Sequence, residues 1–69
     1  MQTCQDLLTP REIQLLNLLA KGLVYKQIGN EMHIEINTVK NHTKALRGKL
    51  NADTNSQVIY IAMKIGLLQ

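Results

Sequence analysis

The chain has 69 residues and a formal net charge of +3 at pH 7, which allows one small domain and excludes a second. Its one cysteine, Cys4, excludes an intrachain disulfide and a zinc site built from cysteines. No apolar run is long enough to span a bilayer, and the polar N-terminus lacks the features of a signal peptide. We therefore expect a soluble intracellular protein with no membrane partner.

The first predicted helix covers about residues 10–21 and follows a short leader of residues 1–8, with the domain itself spanning 9–69. In the stretch LTPRE, Thr9 is the predicted N-cap, Pro10 suits the first helical position, and Glu12 completes a capping box. Apolar residues then recur at helical spacing until Gly22 ends the run. These apolar residues are Ile13, Leu16, Leu19 and Ala20.

Two further helices, over about residues 24–32 and 36–50, are joined by a turn too short for anything but a tight corner. Helices that meet through such a turn cross closely, so a small residue is needed where they touch. Gly29 lies at that point, directly after Ile28, which we expect to be buried. The spacing predicts a helix-turn-helix pair, and Asn51 suits the left-handed conformation that ends the third helix.

The fourth predicted helix covers about residues 55–66 and begins at a capping box formed by Thr54 and Gln57. One of its faces suits the domain core, and a second apolar strip lies beside that face. This strip has two interpretations, a wider contact with the core or a self-complementary dimer interface. No segment has the alternating pattern of a strand, so the predicted fold is all-α with four helices. The strip consists of Ile59, Tyr60 and Met63.

The third helix has two unlike faces when its residues are placed about 100° apart on a helical wheel. The inner stripe is largely apolar and consists of Val39, Thr43, Leu46 and Leu50. The outer face is polar, and the segment from Lys40 to Lys49 contains no acidic residue. This outer face comprises Asn37, Lys40, Asn41, Lys44, Arg47 and Gly48, with Thr38 and Lys49 at its border.

The composition of the outer face favours DNA binding over a plain solvated surface. A solvated helix usually mixes charge signs, because oppositely charged pairs one turn apart stabilise it. Lys40 and Lys44 are instead like charges one turn apart, which costs roughly a few tenths of a kcal/mol. Lysine and asparagine suit the guanine and adenine edges of the major groove, and lysine and arginine neutralise phosphates. The alternative to DNA binding is a plain solvated surface that tolerates this small energetic cost.

Neither catalysis nor metal binding is expected. His33 and His42 have no third ligand at a spacing typical of metal sites, and Cys4 is distant in sequence. The chain has no discernible Ser–His–Asp arrangement, phosphate-binding glycine loop or acid pair, and a domain of this size leaves no room for a substrate pocket. We therefore predict that the protein is not an enzyme and uses no cofactor.

Four stretches, LTPREIQLLNLLAKG, KQIGNEMHI, NTVKNH and KLNA, resemble the LuxR-type helix-turn-helix domain over about residues 8–67. That domain is the DNA-binding output module of many bacterial response regulators and quorum-sensing receptors. The resemblance therefore implies a cytoplasmic bacterial protein that is nucleoid-associated when bound to DNA. It also implies that the third helix enters the major groove and that the fourth helix forms a homodimer on DNA.

The resemblance also implies roles for individual residues. Lys40, Asn41 and Lys44 match positions that contact bases and nearby phosphates in the family. Thr38 matches the threonine of the family's T-V-K core, where a contact to the DNA backbone is expected. Lys49 matches the lysine of a K-L pair, where a contact to a phosphate is expected.

Several positions depart from the family pattern. Glu35 precedes the third helix, where family members usually have serine, and it brings a negative charge near the phosphates. Val24 replaces a common serine or threonine, Thr43 replaces a usual apolar residue, and Asn55 replaces a common arginine. Ile36, at the start of the third helix, has two interpretations, a contact to a thymine methyl group or a loose packing contact.

Together these features predict a sequence-specific regulator of transcription that binds double-stranded DNA as a homodimer. The alternative is a protein-interaction module with the same fold, which binds RNA polymerase or antagonises a full-length regulator. The two functions differ in salt dependence, because binding to phosphates weakens steeply as salt rises.

Overall fold

A computed structural model describes residues 8–68 and contains four helices. They are α1 (Pro10–Ala20), α2 (Tyr25–Met32), α3 (Ile36–Lys49) and α4 (Asn55–Lys64). The all-α prediction is confirmed, and residues 8–68 include no strand. The observed helices lack one or two of the predicted terminal residues, because Lys21, Val24, Leu50 and Ile65 serve as caps outside them.

The capping box at the start of α1 is confirmed. The Thr9 hydroxyl oxygen accepts a hydrogen bond from the Glu12 backbone N–H at 3.2 Å, and the Glu12 carboxylate accepts one from the Thr9 N–H at 2.8 Å. Both bonds satisfy backbone donors that the first turn of a helix leaves free. Gly22, just past the end of α1, has φ +84, which a residue without Cβ adopts without strain.

The core is built from aliphatic side chains of all four helices. Leu8 also belongs to the core. The predicted division between a leader of residues 1–8 and a domain stays a prediction, since residues 1–7 lie outside the described part. Ala20, one of the apolar residues that recur at helical spacing in α1, is exposed. α1 contacts the other three helices and is therefore buried over a wide arc. The helical core residues are Leu15, Leu16, Leu18, Leu19, Ile28, Met32, Val39, Leu46, Val58 and Ala62.

The turn between α2 and α3 depends on Gly29. A Cβ at this position would lie 2.7 Å from the Ile34 carbonyl oxygen, closer than real Cβ atoms approach. The Ile34 N–H donates to the Gly29 carbonyl at 2.9 Å, and His33 between them has φ 58, in the left-handed region. The prediction that a small residue permits this close crossing is confirmed.

The N-terminal caps of α2 and α4 differ in detail from the prediction. Val24 has no side-chain oxygen to cap α2, but the Gln27 side chain accepts a hydrogen bond from the Val24 N–H at 3.0 Å. At α4 the Thr54 hydroxyl accepts from the Gln57 N–H as predicted. The Gln57 side chain accepts from the Asp53 N–H at 2.6 Å, so the reciprocal half of the predicted box was wrong. No helix within residues 8–68 has the length and apolarity needed to cross a bilayer.

Two glycine-to-alanine substitutions are expected to change stability in opposite directions. Gly29→Ala should lower the free energy of unfolding by about 2–3 kcal/mol, because the added methyl group collides with the Ile34 carbonyl. Gly48→Ala should raise it by about 0.5–1 kcal/mol, because no atom lies within 4 Å of the added methyl and alanine favours the helix. Urea denaturation followed by circular dichroism measures both. Equal effects of the two changes would contradict the steric role of Gly29.

Candidate nucleic-acid interface

The inner stripe of α3 determines which side of the helix faces outward. Val39, Thr43 and Leu46 are fully buried, and Leu50 at the C-terminal end is also in the core. The buried Thr43 hydroxyl donates to the Val39 carbonyl at 2.7 Å, which satisfies a polar group that would otherwise be costly inside the core. Because this stripe is held inside, the opposite side of α3 is turned toward solvent.

Most of the outer face predicted from the sequence is exposed. Asn37, Lys40, Asn41 and Lys44 all lie in the solvent, and they occupy the first three turns of α3. Thr38 is half-buried at the border of this group. The structure therefore brings four of the predicted DNA-binding residues together on one accessible surface.

The outer face carries an uncompensated positive charge. α3 has no acidic residue in its first turn, and none occurs along its length. Within residues 8–68 the single salt bridge joins Lys49 to Glu12, so neither Lys40 nor Lys44 is paired. Two ammonium groups one turn apart, without a carboxylate partner among the described residues, attract anions, and they are attached to a rigid helix rather than a loop.

Lys49 is held by α1 rather than grouped with the other basic residues. Its ammonium group lies 2.7 Å from the Glu12 carboxylate, which is 8% exposed, while Lys49 itself is 43% exposed. Burial raises the pKa of Glu12, but hydrogen bonds from Lys49 and Thr9 outweigh that effect and hold the pKa below its usual value. Lys49 thus ties the end of α3 to the start of α1, and its contact to DNA stays a prediction.

Arg47 belongs to a polar cluster that the sequence did not reveal. Its guanidinium donates to the Asn55 side-chain oxygen at 2.9 Å, and the Asn55 amide donates to the Tyr25 hydroxyl at 2.9 Å. Burial raises the pKa of Tyr25, but donors from Asn55 and Arg47 outweigh it and hold the pKa below its usual value. The cluster links α2, α3 and α4. The one feature of the sequence that pointed to this cluster was Asn55, at a position where the LuxR-type family commonly has arginine.

The first residues of α3 extend this surface at its N-terminal end. Glu35 occupies the N-cap position, but its side chain makes no capping hydrogen bond, and it is exposed. Ile36 is 41% exposed and is not among the apolar residues that pack against the core. Together with Asn37 and Lys26 they line an open groove beside the crossing of α2 and α3.

The predicted strip on α4 is divided by the fold. Tyr60 and Met63 are 61% and 60% exposed, whereas Ile59 is half-buried against the core. The Lys64 ammonium lies 5.4 Å from the centre of the Tyr60 ring, a distance at which a cation is attracted to an aromatic face. The core interpretation therefore holds for Ile59, while the dimer interpretation stays a prediction for Tyr60 and Met63, which lie outside the core.

The histidines occupy unrelated positions. His33 is exposed in the left-handed turn after α2, and His42 is half-buried on the flank of α3. Among residues 8–68, no three histidine, cysteine, aspartate or glutamate side chains come close enough together to hold a metal ion.

Comparison with known proteins identifies one family and a set of similar regulators. The family described as bacterial regulatory proteins, luxR family, matches residues 6–62. The chain is 36% identical over 64 residues to the response regulator protein VraR of Staphylococcus aureus (strain Mu3) and to proteins of the same name from Staphylococcus saprophyticus and Staphylococcus epidermidis. These matches cover 93% of this chain but only 31% of each relative.

The ion pair between Lys49 and Glu12 predicts a specific acid sensitivity. Glu12→Gln should lower the free energy of unfolding at neutral pH by roughly 1 kcal/mol, because glutamine still caps Thr9 but loses the charge opposite Lys49. The pKa of Glu12 is lowered on folding, so its stabilisation is present above the ordinary value of 4.5 and disappears as pH falls through the folded pKa. The difference between the two proteins should therefore vanish in acid.

Urea denaturation of both proteins across this pH range measures the effect. Glu31→Gln is the matched control, because Glu31 is exposed and lies outside the salt bridge. A difference that stays constant from neutral to acidic pH would show that the ion pair contributes nothing.

Proposed function

The chain belongs to the luxR family of bacterial regulatory proteins, and we propose that it binds specific sequences of double-stranded DNA by placing α3 in the major groove. The family match and the relatives named as response regulators support DNA-binding transcription regulation as the class of function. An α-helix fits the width of the major groove, and the second helix of a helix-turn-helix pair is the one that enters it.

The observation that carries the proposal is the outer face of α3. It presents two lysines that form no salt bridge within residues 8–68, and two asparagines, on a rigid helix without an acidic residue; the buried stripe keeps them directed outward. Lysine donates to the O6 and N7 atoms of guanine, and asparagine can both donate to and accept from adenine. We assign base contacts to Lys40, Asn41 and Lys44, with Asn37 beside them at the N-terminal end of the helix.

The remaining basic residues are assigned to phosphates. The Arg47 guanidinium has five donors, and its contacts to Asn55 and Tyr25 leave other donors available while limiting the motion of the side chain. Lys49 is 43% exposed but already paired with Glu12, so its contribution to DNA affinity should be smaller than that of Lys44. Thr38, half-buried in the first turn, is assigned to a backbone contact. These contacts fix the register of the helix on the duplex.

We further propose that two copies of the chain bind DNA together through α4. Tyr60 and Met63 are large apolar side chains that stand in solvent, and the half-buried Ile59 borders them. A two-fold axis through this strip brings identical apolar groups together, as in most homodimers. The two α3 helices would then read half-sites about one helical turn apart.

Removal of the outer lysines tests the assignment of the face. Lys40→Ala and Lys44→Ala should each weaken binding to a selected DNA site by about 1–3 kcal/mol if the side chain contacts a base. Fluorescence anisotropy at several salt concentrations measures affinity together with the number of phosphate contacts. Lys21→Ala, which removes the same charge beyond the end of α1, is the matched control and should have a small effect.

Two outcomes would contradict the proposal. If the double variant of Lys40 and Lys44 keeps full affinity, another surface binds the DNA. If the unchanged protein binds duplex DNA weakly and without salt dependence, the exposed face serves a protein partner such as RNA polymerase instead.

A charge on the α4 strip tests the dimer. Met63→Asp should weaken self-association at least tenfold, because a carboxylate would be buried without a partner at the interface. Cooperative binding to DNA with two half-sites should fall in parallel, while the monomer stays folded because Met63 is exposed. Sedimentation equilibrium, with and without DNA, measures the association. Gln14→Asp, which adds the same charge on the exposed side of α1, is the control; equal behaviour of the two variants would exclude the strip as the interface.

A further inference from the structure

We propose that Glu35 and Ile36 are specificity-determining residues that read a cytosine and a neighbouring thymine at the N-terminal end of α3. The inference rests on the proposed DNA binding and assigns to it a part of the recognition sequence. It depends on two side chains that the fold leaves unused and on the limited set of groups that a base pair presents in the major groove.

Nothing in the described fold uses the Glu35 carboxylate. Its backbone has the extended conformation of an N-cap, with φ −76 and ψ 159, yet its side chain accepts no hydrogen bond from the first turn of α3. Serine or aspartate at this position would stabilise the helix by such a bond. Within residues 8–68 the carboxylate also forms no salt bridge and lies in the solvent. Among the described residues, this position thus supplies a negative charge without a partner in place of a side-chain cap.

Ile36 is likewise left outside the core. Ile34, two residues earlier, packs against the core, whereas Ile36 is 41% exposed and is not among the buried or partly buried residues that form or flank it. Of the two interpretations of Ile36, a loose packing contact accounts for the covered part of the side chain, and a contact to a thymine methyl group would use the exposed part. A branched apolar side chain is therefore displayed beside a carboxylate at the same end of the helix.

The position of this pair favours base contacts over phosphate contacts. In helix-turn-helix proteins the N-terminal residues of the recognition helix meet the base edges, while the first helix of the pair crosses the DNA backbone. Glu35 and Ile36 are the N-cap and the first residue of α3. A carboxylate near phosphates would be repelled, so an attractive contact for Glu35 requires a base that donates a hydrogen bond.

Cytosine is the base that such a carboxylate accepts best. An ionised carboxylate has acceptors only, and cytosine presents its N4 amino group in the major groove without an acceptor of its own. Guanine and thymine present acceptors that repel the carboxylate, and adenine presents N7 beside its amino group. The thymine methyl is the one apolar group in the groove, which makes it the partner for Ile36.

Consecutive residues constrain where these bases lie. The Cα atoms of Glu35 and Ile36 are about 3.8 Å apart, close to the spacing of about 3.4 Å between base pairs. The two bases should therefore be neighbours along the DNA. Lys40 lies one helical turn beyond Ile36, about 6 Å away, which places its guanine contact one or two base pairs farther into the half-site. The free carboxylate also repels every phosphate backbone, so it lowers affinity for all other sequences and sharpens discrimination.

The test is a selection of bound sequences from random duplex DNA with the 69-residue chain, followed by affinity measurements on single-base variants of the selected site. The unchanged protein should select adjacent cytosine and thymine and lose roughly tenfold in affinity when the cytosine is replaced. Glu35→Gln should shift the preference at that position from cytosine to adenine, because glutamine pairs with the N6 and N7 atoms of adenine. It should also bind unrelated DNA more tightly, since a negative charge is removed.

Glu31→Gln is the matched control, because it removes the same charge from the exposed side of α2. It should raise affinity for all sequences while the base preference stays the same. Ile36→Ala should lose several-fold in discrimination for thymine, whereas Val24→Ala, at a more exposed apolar residue off α3, should not.

The outcomes separate this inference from the proposed function. If the unchanged protein binds duplex DNA with sequence preference but Glu35→Gln and Glu31→Gln change affinity alike for every sequence, Glu35 reads no base and the inference is wrong. If the unchanged protein binds no duplex DNA in a salt-dependent manner, the proposed function fails and the inference fails with it.

Discussion

The close crossing of α2 and α3 at Gly29 is the constraint on which the remaining structure depends. No side chain fits between the Gly29 backbone and the Ile34 carbonyl, so the two helices meet at a fixed distance through a left-handed turn at His33. This geometry places Val39, in the first turns of α3, next to Gly29 and inside the core to which Ile28 also belongs. Once those residues are buried, the orientation of α3 about its own axis is determined, and its outer face must point away from the domain.

Polar contacts between helices stabilise this arrangement where the small core ends. The salt bridge between Glu12 and Lys49 joins the start of α1 to the end of α3. The cluster of Tyr25, Arg47 and Asn55 joins α2, α3 and α4. Each of these two contacts uses a basic residue of α3, Lys49 in the salt bridge and Arg47 in the cluster. They divide its positive charge into a structural part near the C-terminal end and a free part, nearer the N-terminal end, that can bind a partner.

The division of charge explains how one helix can serve both stability and recognition. Lys40 and Lys44 make no ion pair within residues 8–68, so their like-charge repulsion is an uncompensated cost of the isolated domain. Phosphates and guanine edges would remove that cost on binding. A similar argument applies to the negative charge of Glu35. Its carboxylate is unfavourable beside phosphates unless it accepts a hydrogen bond from a base. A helix with such unused charges is poorly explained as a passive surface.

The number and approximate limits of the helices, the cap at Thr9, the close crossing at Gly29 and the outer face of α3 follow from the sequence by itself. These features depend on spacing, propensity and contacts within one or two helical turns, which a sequence displays directly. Two local features differed from the prediction. α1 is buried over a wider arc because it contacts three other helices, and the Gln57 side chain accepts a hydrogen bond from the Asp53 N–H instead of from Thr54.

Only the tertiary structure decided which of the basic and apolar residues are free. Lys49 pairs with a residue 37 positions earlier, Arg47 meets Asn55 across a helix boundary, and Ile36 stays outside the core while Ile59 packs against it. A helical wheel places each of these residues on a face of its own helix, but it contains no information about the distance to other helices. Their roles depend on contacts between segments remote in sequence, and folding alone brings those segments together.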